Sequence, residues 1–308
     1  MRIAVMGTGG VGGYFGARLA LSGSQVTFIA RGAHLAALRQ RGLRVLSAGG
    51  DMHVEHVNAT DDPRDVGQVD LVLFGVKLWD TEDAARQILP MIGSDTGVVS
   101  FQNGVRKDEV LRDVLGERAV IGGTCYIAAT IAEPGVIRHT GVMQRLVFGE
   151  YDGAASVRTT NFLAACQGAG INAEISADIR RAIWEKFVLL VGLSGTTTAT
   201  RLTIGPIRAH PQTRALLLDT MREVVAVGRA EGVPLPDDFA LNRLAFMDTL
   251  PVAMTSSMHQ DLDRGSRLEV AWLSGDVVRR GLAAGVPTPV NRVLHDVVVL
   301  HADGRASG

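Results

Sequence analysis

The chain opens Met1-Arg-Ile-Ala-Val-Met-Gly7-Thr-Gly9-Gly-Val-Gly12-Gly13 and, after an apolar stretch, continues Gln25-Val-Thr-Phe-Ile-Ala-Arg31. In order this reads as a strand, a glycine turn, a helix and a second strand. Gly7, Gly9 and Gly12 have the G-x-G-x-x-G spacing, which signals a dinucleotide site when it follows a strand and opens a helix. Ile3 and Val5 make the strand apolar, and Val11, Phe15, Leu19 and Leu21 give the next segment a helical stripe. Gly7 is expected to make the tight turn, Gly9 to let the backbone approach a pyrophosphate, and Gly12 to let the helix pack on the sheet. Gly7, Thr8, Gly9, Gly10, Val11 and Gly12 are thus the expected phosphate-binding positions, with helix N-terminal N–H groups facing the anion. A glycine-rich loop that holds no ligand is the alternative for the motif taken alone.

The residue about 20 positions beyond the glycines selects the cofactor: an acid there binds the ribose 2′-OH of NAD, whereas an arginine accommodates the 2′-phosphate of NADP. Arg31 stands at that point, and no acid occurs between residues 13 and 50. A guanidinium pairs bidentately with phosphate, so NADP(H) is the expected cofactor. A solvated surface arginine is the alternative.

At 308 residues and 46% hydrophobic, with a net charge of −1, the composition is that of a soluble globular protein of two domains. Near-zero net charge gives no case for nucleic acid or an anionic membrane. There is no apolar run long enough to span a bilayer, and Met1 leads straight into the first strand, which speaks against a cleaved leader. Cys125 and Cys166 are the two cysteines, with no CxxC, so neither a disulfide framework nor a metal site is implied. A cytoplasmic location is expected. The oligomeric state is left open, a homodimer being one option.

Strand and helix signals alternate through the first half. Asp70–Val76 and Gly97–Phe101 are continuous apolar runs, as in strands buried on both faces of a parallel sheet. Helices are expected at His34–Arg41, Thr81–Leu89 and Lys107–Leu115, and a hairpin at Leu43–Val57. Ala119–Ile131 and Val136–His139 flank Glu133-Pro-Gly135 as a second hairpin, with Arg145–Gly149 a further strand. This predicts an α/β domain, a doubly wound and mostly parallel sheet of the Rossmann kind, over residues 1–176. From Asp178 the apolar spacing becomes helical, with Ile183, Trp184, Phe187, Val188 and Val191 on one stripe and Leu217, Met221, Val224 and Val225 on another. Further helices fit Phe239–Thr249, Leu268–Ala284 and Val290–His301, so residues 177–308 read as an all-α domain with a frayed tail at Ala302–Gly308. The cofactor is expected at the carboxyl ends of the strands and the substrate between that edge and the helical domain.

In this setting the chain resembles the ketopantoate reductase family, the NADPH-dependent 2-dehydropantoate 2-reductases. The resemblance spans almost the whole chain and rests on motifs in order: Gly7–Gly12 with Arg31, Val76-Lys77-Leu-Trp, Gln102-Asn103-Gly104, Trp184-Glu-Lys186, Ser256-Ser257-Met258-His-Gln-Asp261, and Leu268-Glu269. It implies a Rossmann domain followed by a helical domain, with the active site in the cleft. It also implies that Lys186 is the general acid to the ketone oxygen. An ammonium suits that task, because it both stabilises the developing alkoxide and donates the proton, and partial burial lowers its pKa toward useful values. Glu269 matches the glutamate that hydrogen-bonds the substrate and arranges the lysine. Asn103 matches the asparagine beside nicotinamide and substrate, Lys77 a lysine near the cofactor, and Ser257 a serine that binds the substrate carboxylate. Asp261 is read as orienting its helix. Without the resemblance, Lys186 reads as a snorkelling helix lysine, Glu269 as an exposed helical acid and Asn103-Gly104 as a turn.

Two positions depart from the family pattern. Where the family carries asparagines four and eight residues after the lysine, this chain has Leu190 and Ser194. Losing a polar partner in such a site costs about 1–3 kcal/mol. Leu190 therefore points to a more apolar substrate side chain, unless Ser194 or the following threonines supply the contact. The leading reading is an NADPH-dependent reductase of a small-molecule 2-oxo acid, with 2-dehydropantoate first. A reductase or dehydrogenase for another branched or aromatic 2-oxo or 2-hydroxy acid is the rival within the class. A non-catalytic NADP(H)-binding sensor is the rival outside it.

Overall fold

Short apolar runs with no polar alternation need cover on both faces, and they find it at the centre of a ten-stranded sheet. The computed structural model describes residues 1–305. The strands are β1 (Arg2–Met6), β2 (Gln25–Ile29), β3 (Leu43–Ser47), β4 (Met52–Val54), β5 (Asn58–Thr60), β6 (Leu71–Phe74), β7 (Gly97–Ser100), β8 (Val120–Glu133), β9 (Val136–Gly149) and β10 (Asn172–Ile175). β5-β2-β1-β6-β7-β8 run parallel in that spatial order. The far part of β8 then turns to pair antiparallel with β9, which also pairs in parallel with β3 and β10, while β3 and β4 form the expected hairpin. The result is a curled, mixed sheet that is mostly parallel, as expected.

Five helices cover it: α1 (Gly10–Leu21), α2 (Gly32–Arg41), α3 (Thr81–Gln87), α4 (Lys107–Leu115) and α5 (Val157–Gly168). Successive strand residues alternate between faces. Ile3 and Val5 join Phe15, Leu19, Phe28 and Phe162 on one side. Ala4 and Met6 join Ala84, Ile88, Val98 and Leu111 on the other. Neither α5 nor β10 was anticipated. The two apolar pieces expected at Val136–His139 and Arg145–Gly149 are the ends of one strand, β9. Its register against β8 jumps from His139 to Gln144, so the residues between are looped out.

The second compact unit holds residues Gly104–Arg106 and Ile183 onward, so the two units part within the first turn of α6 (Ile179–Thr200). It continues with α7 (Ile204–Ala209), α8 (Pro211–Ala230), α9 (Phe239–Asp248), α10 (Ser257–Arg264), α11 (Ser274–Ala284) and α12 (Pro289–Val298). A buried Arg280 binds Asp276 and Glu231, with its guanidinium 6.0 Å from the Trp184 ring, and so ties α11 and the end of α8 to α6.

Two expectations are corrected in this unit. Leu268–Ala284 is not one helix. A single 3-10 turn at Val270–Trp272 stops at Leu273 (φ −106, ψ −102) before α11 begins. The chain doubles back there so closely that a Cβ on Gly275 would lie 3.2 Å from the Val270 carbonyl oxygen and 2.9 Å from the His295 ring. Nor do residues 302–305 fray. Leu268 N–H donates to the Ala302 carbonyl (2.8 Å) and Arg305 N–H to that of Gly265 (2.9 Å). Residues 306–308 of the expected frayed tail lie outside the described residues. No described helix is long and apolar enough to cross a membrane. Among the described residues no cluster of three His, Cys, Asp or Glu side chains could hold a metal ion.

Candidate functional site

The glycine turn joins β1 to α1. Gly7 has φ +95, open to glycine at no steric cost, and a Cβ there would sit 2.8 Å from the Val76 nitrogen. A Cβ on Gly12 would meet the Gly7 carbonyl oxygen at 2.3 Å and Val5 Cγ1 at 2.8 Å, so the helix–strand approach requires glycine. Gly9 differs: nothing lies within 4 Å of its missing Cβ, and that face of the backbone is open to a ligand. No side chain caps α1 and its first turn carries no acid, which leaves the positive end of the helix for an anion. Thr8 is spent on architecture: its N–H and hydroxyl both donate to the Ile29 carbonyl (3.2 and 3.0 Å), binding the turn to the end of β2. Arg31 follows two residues later, exposed, at the N-cap of α2, with Nη2 3.5 Å from Gln87 Oε1. The glycine turn and Arg31 thus stand at the carboxyl ends of adjacent parallel strands.

His34, in the first turn of α2, carries no signal of its own in the sequence. Its Nδ1 accepts a hydrogen bond from Gly135 N–H (3.1 Å). Burial lowers its pKa from 6.5, against a smaller opposing pull from the Thr8 backbone. A depressed folded pKa means that the unfolded chain takes up the proton first as pH falls. His34 therefore contributes stability above about pH 6.5 that is lost on acidification. The urea midpoint should fall between about pH 7 and about pH 5, and by less in His34→Gln, whose amide oxygen still accepts from Gly135 but never titrates. Identical pH profiles for parent and variant would refute this role.

β6 and β7 end at the same edge. After β6 comes Gly75-Val76-Lys77, with Lys77 exposed and its Nζ 5.6 Å from the Trp79 ring centroid. After β7 comes Phe101-Gln102-Asn103, with Asn103 half-buried. A small apolar cavity beside them is lined by Val11, Phe15, Leu73, Gly75 and Phe101.

In the helical unit, Lys186, Leu190 and Ser194 recur every four residues along α6 and so share one face. Lys186 and Leu190 are half-buried, beside the buried Trp184, Phe187, Val188 and Val191. Ser194 is fully enclosed, and its Oγ has no hydrogen-bond partner in the structure. Three of the four threonine hydroxyls after it are taken up by the helix: Thr196, Thr197 and Thr200 donate to the carbonyls of Gly192, Leu193 and Thr196 at 2.6–2.7 Å, while the buried Thr198 Oγ1, like Ser194 Oγ, has no partner. Apart from Thr198, the threonines that could substitute for the missing asparagines are therefore back-bonded to their own helix. Ser256, not Ser257, caps α10, its Oγ accepting from His259 N–H (3.1 Å); Ser257 is the exposed first helical residue. Glu269 is half-buried and immediately precedes the Val270–Trp272 turn, rather than lying within a long helix.

Two family models cover most of the chain: ketopantoate reductase PanE/ApbA over residues 3–153, and its C-terminal counterpart over residues 178–302. The chain belongs to the ketopantoate reductase family. It is, with that family, an oxidoreductase of the 2-dehydropantoate 2-reductase type, acting on CH–OH with a nicotinamide cofactor. A 2-dehydropantoate 2-reductase from Halobacterium salinarum is 33% identical over 301 residues, covering 97% of this chain and 98% of that one. The crystal structure of a PanE/ApbA family ketopantoate reductase from Ralstonia eutropha JMP134 matches with a TM-score of 0.89 and 39% identity over 98% of both chains. A D-mandelate dehydrogenase, solved with NADH and anilino(oxo)acetate, matches with a TM-score of 0.89 over 98% of both chains but at 22% identity, a likeness of fold alone.

Proposed function

We propose that this chain is an NADPH-dependent reductase that converts 2-dehydropantoate to pantoate. The observation that carries the cofactor choice is Arg31 at the end of β2, where an acid would be needed to hold a 2′-OH. Gly7 to Gly12 would hold the pyrophosphate on the uncapped start of α1, with Lys77 and Asn103 near the nicotinamide end. A bound nicotinamide supplies the hydride for the carbonyl carbon. Lys186 would give a proton to the carbonyl oxygen, and the neutral amine would then regain one from water. Ser257 and the N–H groups at the start of α10 receive the substrate carboxylate, and Glu269 orients substrate and lysine. Ser194, being enclosed, carries no substrate role in this reading.

Leu190 favours a second reading. One turn from Lys186, it offers an apolar contact where the family pattern has an amide, and so suits a branched 2-oxo acid lacking a hydroxyl. NADPH oxidation followed across a panel of 2-oxo acids decides between the two by the order of kcat/KM. No turnover with any member, despite NADPH binding, would sink both and leave a sensor. Arg31→Ala should weaken NADPH binding by roughly 10–100-fold, the loss of a charge-assisted contact of about 1.5–3 kcal/mol, and leave NADH binding unchanged. Equal effects on the two cofactors would refute the assignment of Arg31.

A further inference from the structure

We propose that Gln102 is a positioning residue whose amide locks together the two strand-end loops carrying Lys77 and Asn103. This rests on the reading of those loops given above. The side chain is buried, and both its ends are engaged across the sheet edge. Nε2 donates to the Val76 carbonyl and to Thr81 Oγ1, each at 2.9 Å. Oε1 accepts from Ser100 Oγ at 2.9 Å. The orientation is forced, because the Val76 carbonyl can only accept and must face the amide N–H. Thr81 passes the link on by donating to the Leu78 carbonyl (2.8 Å), so the Gly75–Thr81 segment is held at two points.

The Ser100 end is equally fixed. Its carbonyl accepts from the buried Lys107 ammonium at 3.0 Å. Val76 is also the residue against which Gly7 closes. Three strand-end loops, those after β1, β6 and β7, therefore meet at one residue, Val76, and Gln102 is the side chain that joins the second to the third. Val76 precedes Lys77 and Gln102 precedes Asn103, so any slip of the lock moves a proposed cofactor contact and a proposed substrate contact relative to each other. Misplacement of about 1 Å in such a constellation costs on the order of 100-fold in rate.

Gln102→Met keeps the volume and removes the three side-chain bonds. The expected result is a fall in kcat of roughly 10–100-fold, with the KM for the 2-oxo acid and the urea midpoint moving much less. A folded variant with kcat within about twofold of the parent would overturn the proposal. Should Gln102→Met not fold, Thr81→Val removes one of the two Nε2 bonds at nearly constant volume and should lower kcat by about 3-fold; unchanged kcat overturns the proposal there too. Hydrogen exchange gives a readout independent of turnover. In either variant the amides of residues 75–81 and 100–104 should lose protection together, and an effect confined to one loop, or none, sinks the lock. A parent enzyme that turns over no 2-oxo acid sinks the functional reading instead, and the exchange measurement still decides the lock.

Discussion

Lys186→Ala should lower kcat by about 10²–10⁴-fold, or about 3–5 kcal/mol of barrier, and leave NADPH affinity within about twofold. The separation of the two effects follows from how α6 is held. Its anchor is the buried stripe of Ile183, Trp184, Phe187, Val188 and Val191, with Trp184 and Phe187 edge-to-face at 5.6 Å and the Arg280 guanidinium beyond the indole. None of these contacts uses the Lys186 side chain, so the helix should survive its truncation. Lys186→Arg keeps the positive charge but holds its proton far too tightly to donate it. It should recover substrate KM more than kcat, which separates proton donation from simple attraction for the substrate. Full turnover by Lys186→Ala would end the general-acid assignment.

What could be read from the sequence tracks how local each signal is. The glycine turn is legible because its chemistry is contiguous: one strand, three spaced glycines and one helix within 21 residues. The α6 stripe is legible because five buried side chains follow the 3.6-residue period. α5 was missed because Val157-Arg-Thr-Thr-Asn has weak helix propensity, and its capping box closes with Thr159 where a glutamate or glutamine is the usual mark. The single strand β9 reads as two pieces because Thr140–Met143 are exposed and looped out of register, which erases the alternation. The break at Leu273 has no composition mark; it depends on the seating of Gly275 against a turn and a helix from elsewhere in the chain. The site divides in the same way. Arg31 is visible at a fixed distance from the glycines. Gln102 is visible only as a neighbour of Asn103, since the partners of its Nε2 lie 21 and 26 residues away.

Lys107 is the extreme case, for it reads as an ordinary first-turn residue of α4 and is among the most completely buried side chains of the chain. Lys107 and Asp108 side chains are 1% and 3% exposed, with Nζ 2.9 Å from each carboxylate oxygen. Tyr151 donates to the same carboxylate at 2.7 Å. Burial and the Asp108 charge raise the Tyr151 pKa far enough to keep that phenol a donor throughout the working pH range. Lys107→Met fills the space but strands the carboxylate with one partner, and should cost about 3–5 kcal/mol in urea unfolding. Lys107→Met combined with Asp108→Asn leaves no buried charge and retains an acceptor for Tyr151, so at least about half of that loss should return. A double variant no more stable than the single one would show that the cost lies in packing around the lysine stem. The recovered double variant should still turn over slowly, since neither substitution restores a donor to the carbonyl of Ser100, the residue whose hydroxyl the Gln102 amide oxygen engages. Recovery of stability without recovery of kcat is therefore the pattern that assigns this buried pair to holding the strand-end loops.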